Sequence, residues 1–459
     1  MPKRMAWLDR DRAIQTAPVV ALFCTFFLLP PEVSISLAGV WLPAYRIALL
    51  IGLVFAFVRL AKAGGQYFSV PDALIAIVAV WILTSFSLIY GFGDGILRGG
   101  ATVLDIIGSY LLARLCIRDF SDFRYFLMLV LPGLALGGGI MALESLSGNL
   151  LLRPTAAAIF GNVAAYSGGD ATGQIVLREE VRLGLLRAYG AFSHPILGGL
   201  ILGIFLPLFY FSGIRGWPWF AGTGAALAAV FSLSSAALLG LVIGLGAIGM
   251  DFVKRRIVPQ LSWWTMLFML GLLLFSLHMA SKNGLVAVLS RLTLVPHTAS
   301  YRLLIWEHGS KTVREHPWFG IGYQQWDRLA WMGESVDAHF LLLAMRHGLI
   351  VPILIIAAAL YAMLRLGVFV PRLKPIDARQ VLGVNIALAI LLVAGQTVAF
   401  FGASNLVFMS LIGFAASLAS VAGRPAYATT PIAPKGSRPL AMRRGQAHLP
   451  PARSHRSAG

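Results

Sequence analysis

The chain has 459 residues, 58% of them hydrophobic and 12% charged, with a mean hydropathy of +0.79. A soluble domain carries charge on roughly a quarter of its residues, so this composition excludes the soluble globular class. The formal net charge of +18 then reflects where Lys and Arg sit relative to a membrane, rather than a basic binding domain.

The start, "MPKRMAWLDRDRAIQTAPVVALFCTFFLLPPEV", sets basic residues before an apolar run. No small-x-small cleavage site follows, so it reads as a retained first span and signal anchor. Apolar runs long enough to cross a hydrocarbon core of about 30 Å then recur, with approximate cores at 17–36, 39–58, 71–91, 100–117, 124–145, 194–212, 217–233, 236–251, 263–279, 341–364, 381–400 and 404–421. Blocks of period-2 alternation are missing, which argues against a membrane β-barrel. The predicted class is all-α: a polytopic helical membrane protein with about twelve spans. Cys24 and Cys116 fall in or beside spans and read as small packing residues.

Cytoplasmic loops retain positive charge. With the N-terminus inside, the inner segments and span ends hold Arg59, Lys62, Arg114, Arg118, Arg124, Arg215, Lys254, Arg255, Arg256, Arg365, Arg372, Lys374 and Arg379, while the short outer turns hold almost none, Arg98 excepted. The membrane domain runs over 1–423. The remainder, 424–459, is rich in Pro, Ala and Arg without an acid and reads as a disordered cytoplasmic tail near anionic headgroups. It lacks the aromatic interleaving of a nucleic-acid binder.

Two interruptions are too long for plain connectors: about 147–193 and about 281–340, both on the outer side. The first ends "LREEVRLGLLRAYGAFSHPILGGLILG", bringing Arg182 and Arg187 to a Gly-rich span entrance. The second contains "SYRLLIWEHGSKTVREH". Its spacing predicts a helix over about 300–315 lying on the outer surface. Arg302 and Trp306 share a face, and Glu307 with Lys311 forms an i,i+4 pair. "HPWFGIG" breaks that helix at Pro317, Gly320 and Gly322, and Trp306, Trp318, Trp326 and Trp331 suit the headgroup region. "ESVDAHFLLLAMRHGLIVPILII" then enters a span with Asp337, His339, Arg346 and His347. Ionisable groups facing lipid are costly, so these face a cavity or partners, and imidazole beside guanidinium suits chemistry on an anionic substrate. His316 reads as a turn stabiliser. Zinc at His308 and His316 lacks co-ligands at suitable spacing. Arg46 and Asp105 either pair structurally or line a lipid-diphosphate groove, and Glu144 lies similarly near the surface.

The stretches "YRLLIWEHGSKTVREHPWFGIGYQQW", "DAHFLLLAMRHGLIVPILI" and "RAYGAFSHPILGG" together resemble the O-antigen ligase and polysaccharide polymerase family. The matching positions are Arg302, Trp306, His316, Pro317, Gly320, Gly322, His339 and Gly348, with Arg187, Gly190 and Phe192 before the earlier span. The chain departs from the family at Ser235, where Ser-Arg is common, and at Phe340 and Ala338, where relatives often carry Asn. The resemblance implies a GT-C-like membrane glycosyltransferase, either a polymerase or a ligase, in a bacterial inner membrane with its active site facing the periplasm. It implies a polyprenyl diphosphate-linked glycan as donor and a glycan or lipid A core sugar as acceptor, with no nucleotide, metal or other cofactor and no nucleic acid. Membrane lipids and polysaccharide assembly proteins are the implied partners. Carried onto this chain, His339 is the catalytic base and Arg187, Arg302, Arg346 and Arg182 bind the substrate. A lipid-linked oligosaccharide flippase is the competing expectation, with charges spread along a central path.

Overall fold

The computed structural model describes residues 10–37, 40–63, 68–161, 164–167, 170–174, 179–258, 272, 275, 276, 279, 280 and 296–424. Among them, backbone in hydrocarbon satisfies its own hydrogen bonds as helix, and three two-stranded antiparallel ribbons occur between helices. The helices are α1 (Arg10–Leu28), α2 (Ala44–Ala63), α3 (Val70–Tyr90), α4 (Phe92–Val103), α5 (Ser109–Cys116), α6 (Phe120–Ser147), α7 (Leu152–Phe160), α8 (Pro195–Phe211), α9 (Trp217–Leu227), α10 (Ser235–Arg256), α11 (Pro296–Glu315), α12 (His339–His347), α13 (Ile350–Phe369), α14 (Pro375–Ala394) and α15 (Ala403–Ala422).

A helix lies on each expected span except that at 263–279, most of which falls outside the described residues, as do 425–459. Among the described residues, eight helical stretches are long and apolar enough to cross a membrane, against an expectation of about twelve for the whole chain. Part of the difference is local: α8 has 17 residues, and α9 has 11 before a 3-10 turn at Ala228–Ser232 completes it. The expected span at 341–364 is two helices, α12 and α13, broken at Gly348 with φ +85.

The helices form one bundle around α15, whose most apolar window is 89% buried. Small residues let α5 and α15 approach closely: a Cβ at Gly413 would come within 2.4 Å of the Tyr110 carbonyl, and Ser410 donates to the Ser109 carbonyl at 3.3 Å. One end of the bundle is tied by ion pairs. Arg12 joins Asp119 at 2.9 Å and Asp122 at 2.7 Å, Arg114 joins Asp72 at 3.3 Å, Arg124 joins Asp377 at 2.8 Å and Arg255 joins Asp251 at 3.0 Å. These basic residues, from helix ends far apart in sequence, belong mostly to the set expected on the inner side. At the opposite end a second, smaller core seats α11 on α12 through Ile305, Val313, Leu341, Ala344 and Met345.

Candidate active site

The site end of the bundle is built first by backbone. The "HPWFGIG" turn folds onto the C-terminus of α12. The Ile321 and Gly322 amides donate to the Met345 and Arg346 carbonyls at 2.7 and 3.1 Å, and the Leu349 amide donates to Pro317 at 2.8 Å. A Cβ at Gly320 would lie 2.4 Å from the Met345 oxygen, and one at Gly348 would lie 1.7 Å from the Trp318 oxygen, so both positions need glycine for space as well as for positive φ. Caps of this kind satisfy the last carbonyls of a helix. Here the cap also fixes Arg346, whose guanidinium lies 4.8 Å from the centroid of the Tyr323 ring.

Arg346 and Tyr323 line a cavity of about 170 Å³, together with Tyr45, Arg46, Asp105 and Ser193 among others. Arg46 and Asp105 make a bidentate pair at 2.7 and 3.0 Å, so they pair with each other and line the cavity at once. Asp105 lies in a π-helical turn, Leu104–Gly108, between α4 and α5. Such a turn inserts an extra residue and re-aims side chains.

A second cluster of charge gathers beside this cavity's wall segment 191–193. Val181–Arg182 and Leu185–Leu186 form a hairpin whose central residues, Leu183 and Gly184, have φ 52 and 78. Arg187 follows directly. The Arg187 amide donates to the Glu180 carbonyl at 2.8 Å, its Nη1 pairs with the Glu180 carboxylate, and its Nε donates to the Ser232 carbonyl at 3.4 Å. Arg182 reaches Glu180 and the Leu233 carbonyl, each at 3.4 Å. The 3-10 turn after α9 thus supports both arginines with its carbonyls. Burial raises the Glu180 carboxyl, but Arg187 first and then Arg182 and His194 outweigh it and hold the group below its usual range. Burial first, then Arg187, with Arg302 contributing further, depresses the Arg182 guanidinium, against Glu180. Arg302 on α11 therefore lies within electrostatic reach of Arg182.

Arg302 is 5% exposed and its Nε has no hydrogen-bond partner among the described residues. Burial depresses its guanidinium and raises the Asp337 carboxyl, while their mutual attraction opposes both shifts. Asp337 is accordingly an acid within electrostatic reach of Arg302. Trp306, one turn on, donates from Nε1 to the Gln396 carbonyl at 2.9 Å, which docks α11 against the α14–α15 connection.

His339 holds that same connection from the other side. Its amide donates to the Gly395 and Val398 carbonyls at 2.8 and 3.1 Å, and its Nδ1 accepts the Phe400 amide at 3.3 Å. Its ring stacks on Phe400 at 4.6 Å between centroids. His339, expected to face a cavity or partners, is 2% exposed, and its Nε2 is buried without a partner among the described residues. Burial, then the Arg346 charge, pushes it down to about 3. Phe340, Phe400 and Phe408 pack around the imidazole, and of these Phe400 also lines the cavity.

The structure thus brings Arg182 and Arg187 together on Glu180, with Arg302 in electrostatic reach of Arg182, places Arg346 separately in the cavity, and buries His339 against Phe400. The helix expected at 300–315 is present as α11. Its expected Glu307–Lys311 pair is replaced by Lys311–Asp327 at 2.7 Å, because the returning loop brings Asp327 across. Trp318 and Trp331 are exposed as interfacial residues should be, but Trp326 is buried in the α11–α12 core and donates to the Glu334 carbonyl at 3.0 Å.

Three acids matter more than the sequence disclosed. Glu144 accepts the amides of Leu151, Leu152, Tyr189 and Gly190 at 2.8–3.2 Å. Glu32 forms a fully buried pair with Arg153 at 2.6 Å, and Arg153 reaches on to the Ser193 carbonyl at 3.1 Å. Glu180 carries the two arginines. A lone acid near a span end was the available signal for Glu144, but its backbone partners lie up to 46 positions away.

The fold and site define a multi-pass helical membrane protein with a cationic cluster and a charged, aromatic cavity at one end. Residues 220–356 match the model of the O-Antigen ligase family, which bears out the family recognised in the motifs and implies, in general terms, a glycosyl-transferring enzyme. The match contains Arg302, Trp306, the turn at 316–322, His339, Arg346 and Gly348, while Arg182 and Arg187 lie before it. No curated protein matches the chain.

Proposed function

We propose that this protein transfers a glycan from a polyprenyl diphosphate carrier to a hydroxyl of an acceptor sugar, polymerising or ligating a surface polysaccharide at the periplasmic face of the inner membrane. The observation that carries the reading is the pair of Arg182 and Arg187 held on one carboxylate, with Arg302, from a segment more than a hundred positions away, in electrostatic reach of Arg182. Buried like charges repel and are desolvated at a cost, and such a cluster suits an anion with several oxygens.

In this reading the bond from the anomeric carbon to the diphosphate oxygen breaks, and the acceptor oxygen bonds to that carbon. The guanidinium groups stabilise the charge on the departing diphosphate, for which their planar fork is suited. The acceptor proton goes to Nδ1 of His339, the ring nitrogen that now accepts the Phe400 amide and so carries no proton. That requires the 395–402 connection to shift and uncover the imidazole, which would also relieve the burial that now makes it a weak base. Neither nucleotide nor metal takes part.

Purified protein in nanodiscs, given a polyprenyl diphosphate-linked glycan and an acceptor glycan, with chelator and without nucleotide, should form the transferred product. A demand for ATP or a divalent metal would overturn the mechanism, and movement of donor across the bilayer without product would favour a transporter. Arg187→Lys and Arg302→Lys keep the charge and lose the fork, so both should lower transfer; full activity in these and in both Arg→Ala variants removes the arginine clamp.

A further inference from the structure

Glu180 touches both Arg182 and Arg187 through one carboxylate oxygen. The Arg187 side chain is sunk to 3% exposure, whereas that of Glu180 is 43% exposed, so the carboxylate meets a buried guanidinium from the open side. Arg187 Nη2 is buried and has no hydrogen-bond partner among the described residues. One half-exposed carboxylate therefore serves two guanidinium groups and leaves a donor unsatisfied, with the charge of Arg302 also in reach.

We propose that Glu180 is an internal counter-ion, whose carboxylate sits on the Arg182–Arg187 pair while the site is empty and gives way to a diphosphate when one arrives. The inference rests on the proposed function for the identity of the anion. A diphosphate brings more charge and more acceptor oxygens than a carboxylate, enough to satisfy Arg187 Nη2 as well. The exchange costs little on the Glu180 side, because a half-exposed carboxylate returns to water. Without either anion Arg187 would be a buried, unpaired charge. The same group thus holds the empty site together, competes with the donor and helps to displace the product diphosphate.

Inorganic pyrophosphate binding to the full-length protein in nanodiscs, followed by calorimetry, tests this. Glu180→Gln keeps the shape and removes the charge, so pyrophosphate should bind about fivefold tighter, the size of one competing half-exposed ion pair. In the transfer assay the donor KM and kcat should both fall, as product leaves more slowly. The gain should shrink in an Arg187→Lys background, because the two residues act as a pair. Glu180→Asp, which draws the carboxylate back by one methylene, gives a milder gain and serves if Glu180→Gln does not fold. Unchanged or weaker pyrophosphate binding in a folded variant, or no binding in any form of the protein, overturns the proposal. Tighter pyrophosphate binding without any glycan transfer leaves the counter-ion in place and defeats the glycosyltransferase reading instead.

Discussion

Glu144 is the fixed point of the segment that carries Arg187. Its two oxygens take four backbone amides and no solvent reaches it. Glu144→Gln turns one acceptor into a donor facing N–H groups, so we expect a loss of about 2–3 kcal/mol together with lower transfer, read by thermal unfolding and by the product assay. Melting at the wild-type temperature would mean that the amides find other acceptors. His339 is tested by a pair of substitutions. As a base it should be lost equally in His339→Ala and His339→Gln, by about 10²–10⁴ in rate. Gln retains an acceptor for the Phe400 amide, so near-normal activity in His339→Gln alone would make His339 a positioning residue. His194 caps α8 by accepting the Ile196 amide at 3.2 Å. Burial, then Arg187, pushes it down to about 4 from 6.5. The unfolded chain therefore binds the proton first, so folded stability present above pH 6.5 should decline as the pH falls toward about 4. His194→Asn keeps a good cap and should flatten that part of the stability profile; an identical slope would place the pH dependence elsewhere.

At the scale of elements, the hairpin at Val181–Leu186 orders the two arginines by its turn. Both central residues have positive φ, and Leu183 pays for it without packing gain, being 80% exposed. Leu183→Asn produces the Asn-Gly pair favoured in this turn and should raise stability by about 0.5–1 kcal/mol with transfer unchanged. A lower unfolding temperature would mean that the leucine is held by a contact, such as lipid, that outweighs its backbone strain. The α11 helix was legible from its spacing and its Pro-Gly stop. Its buried face was not read: the stripe Arg302, Ile305, Gly309, Thr312 and Val313 shares only Arg302 with the face expected to run through Trp306, and the partner of Lys311 was not read either. Local spacing favours an i,i+4 acid, but a loop from another part of the chain supplied a better-placed one.

For the whole molecule, Arg12, Arg114, Arg124 and Arg379 pair with acids across helices from both halves of the chain. Reporter fusions after Asp170 and after Arg365 should therefore report opposite compartments, and the same compartment for both would break the alternating topology. The sequence by itself determined the membrane class, the positions of most helices and the family resemblance. Hydropathy, Lys and Arg placement and local turn chemistry act over a few residues and do not depend on the final packing. That Asp337 lies within electrostatic reach of Arg302, that Glu180 bridges Arg182 and Arg187, and that Phe400 packs against His339 were decided by the tertiary structure. Buried charges and orphaned donors are satisfied by whatever group the packing brings near, and that neighbour is commonly dozens to hundreds of positions away in sequence.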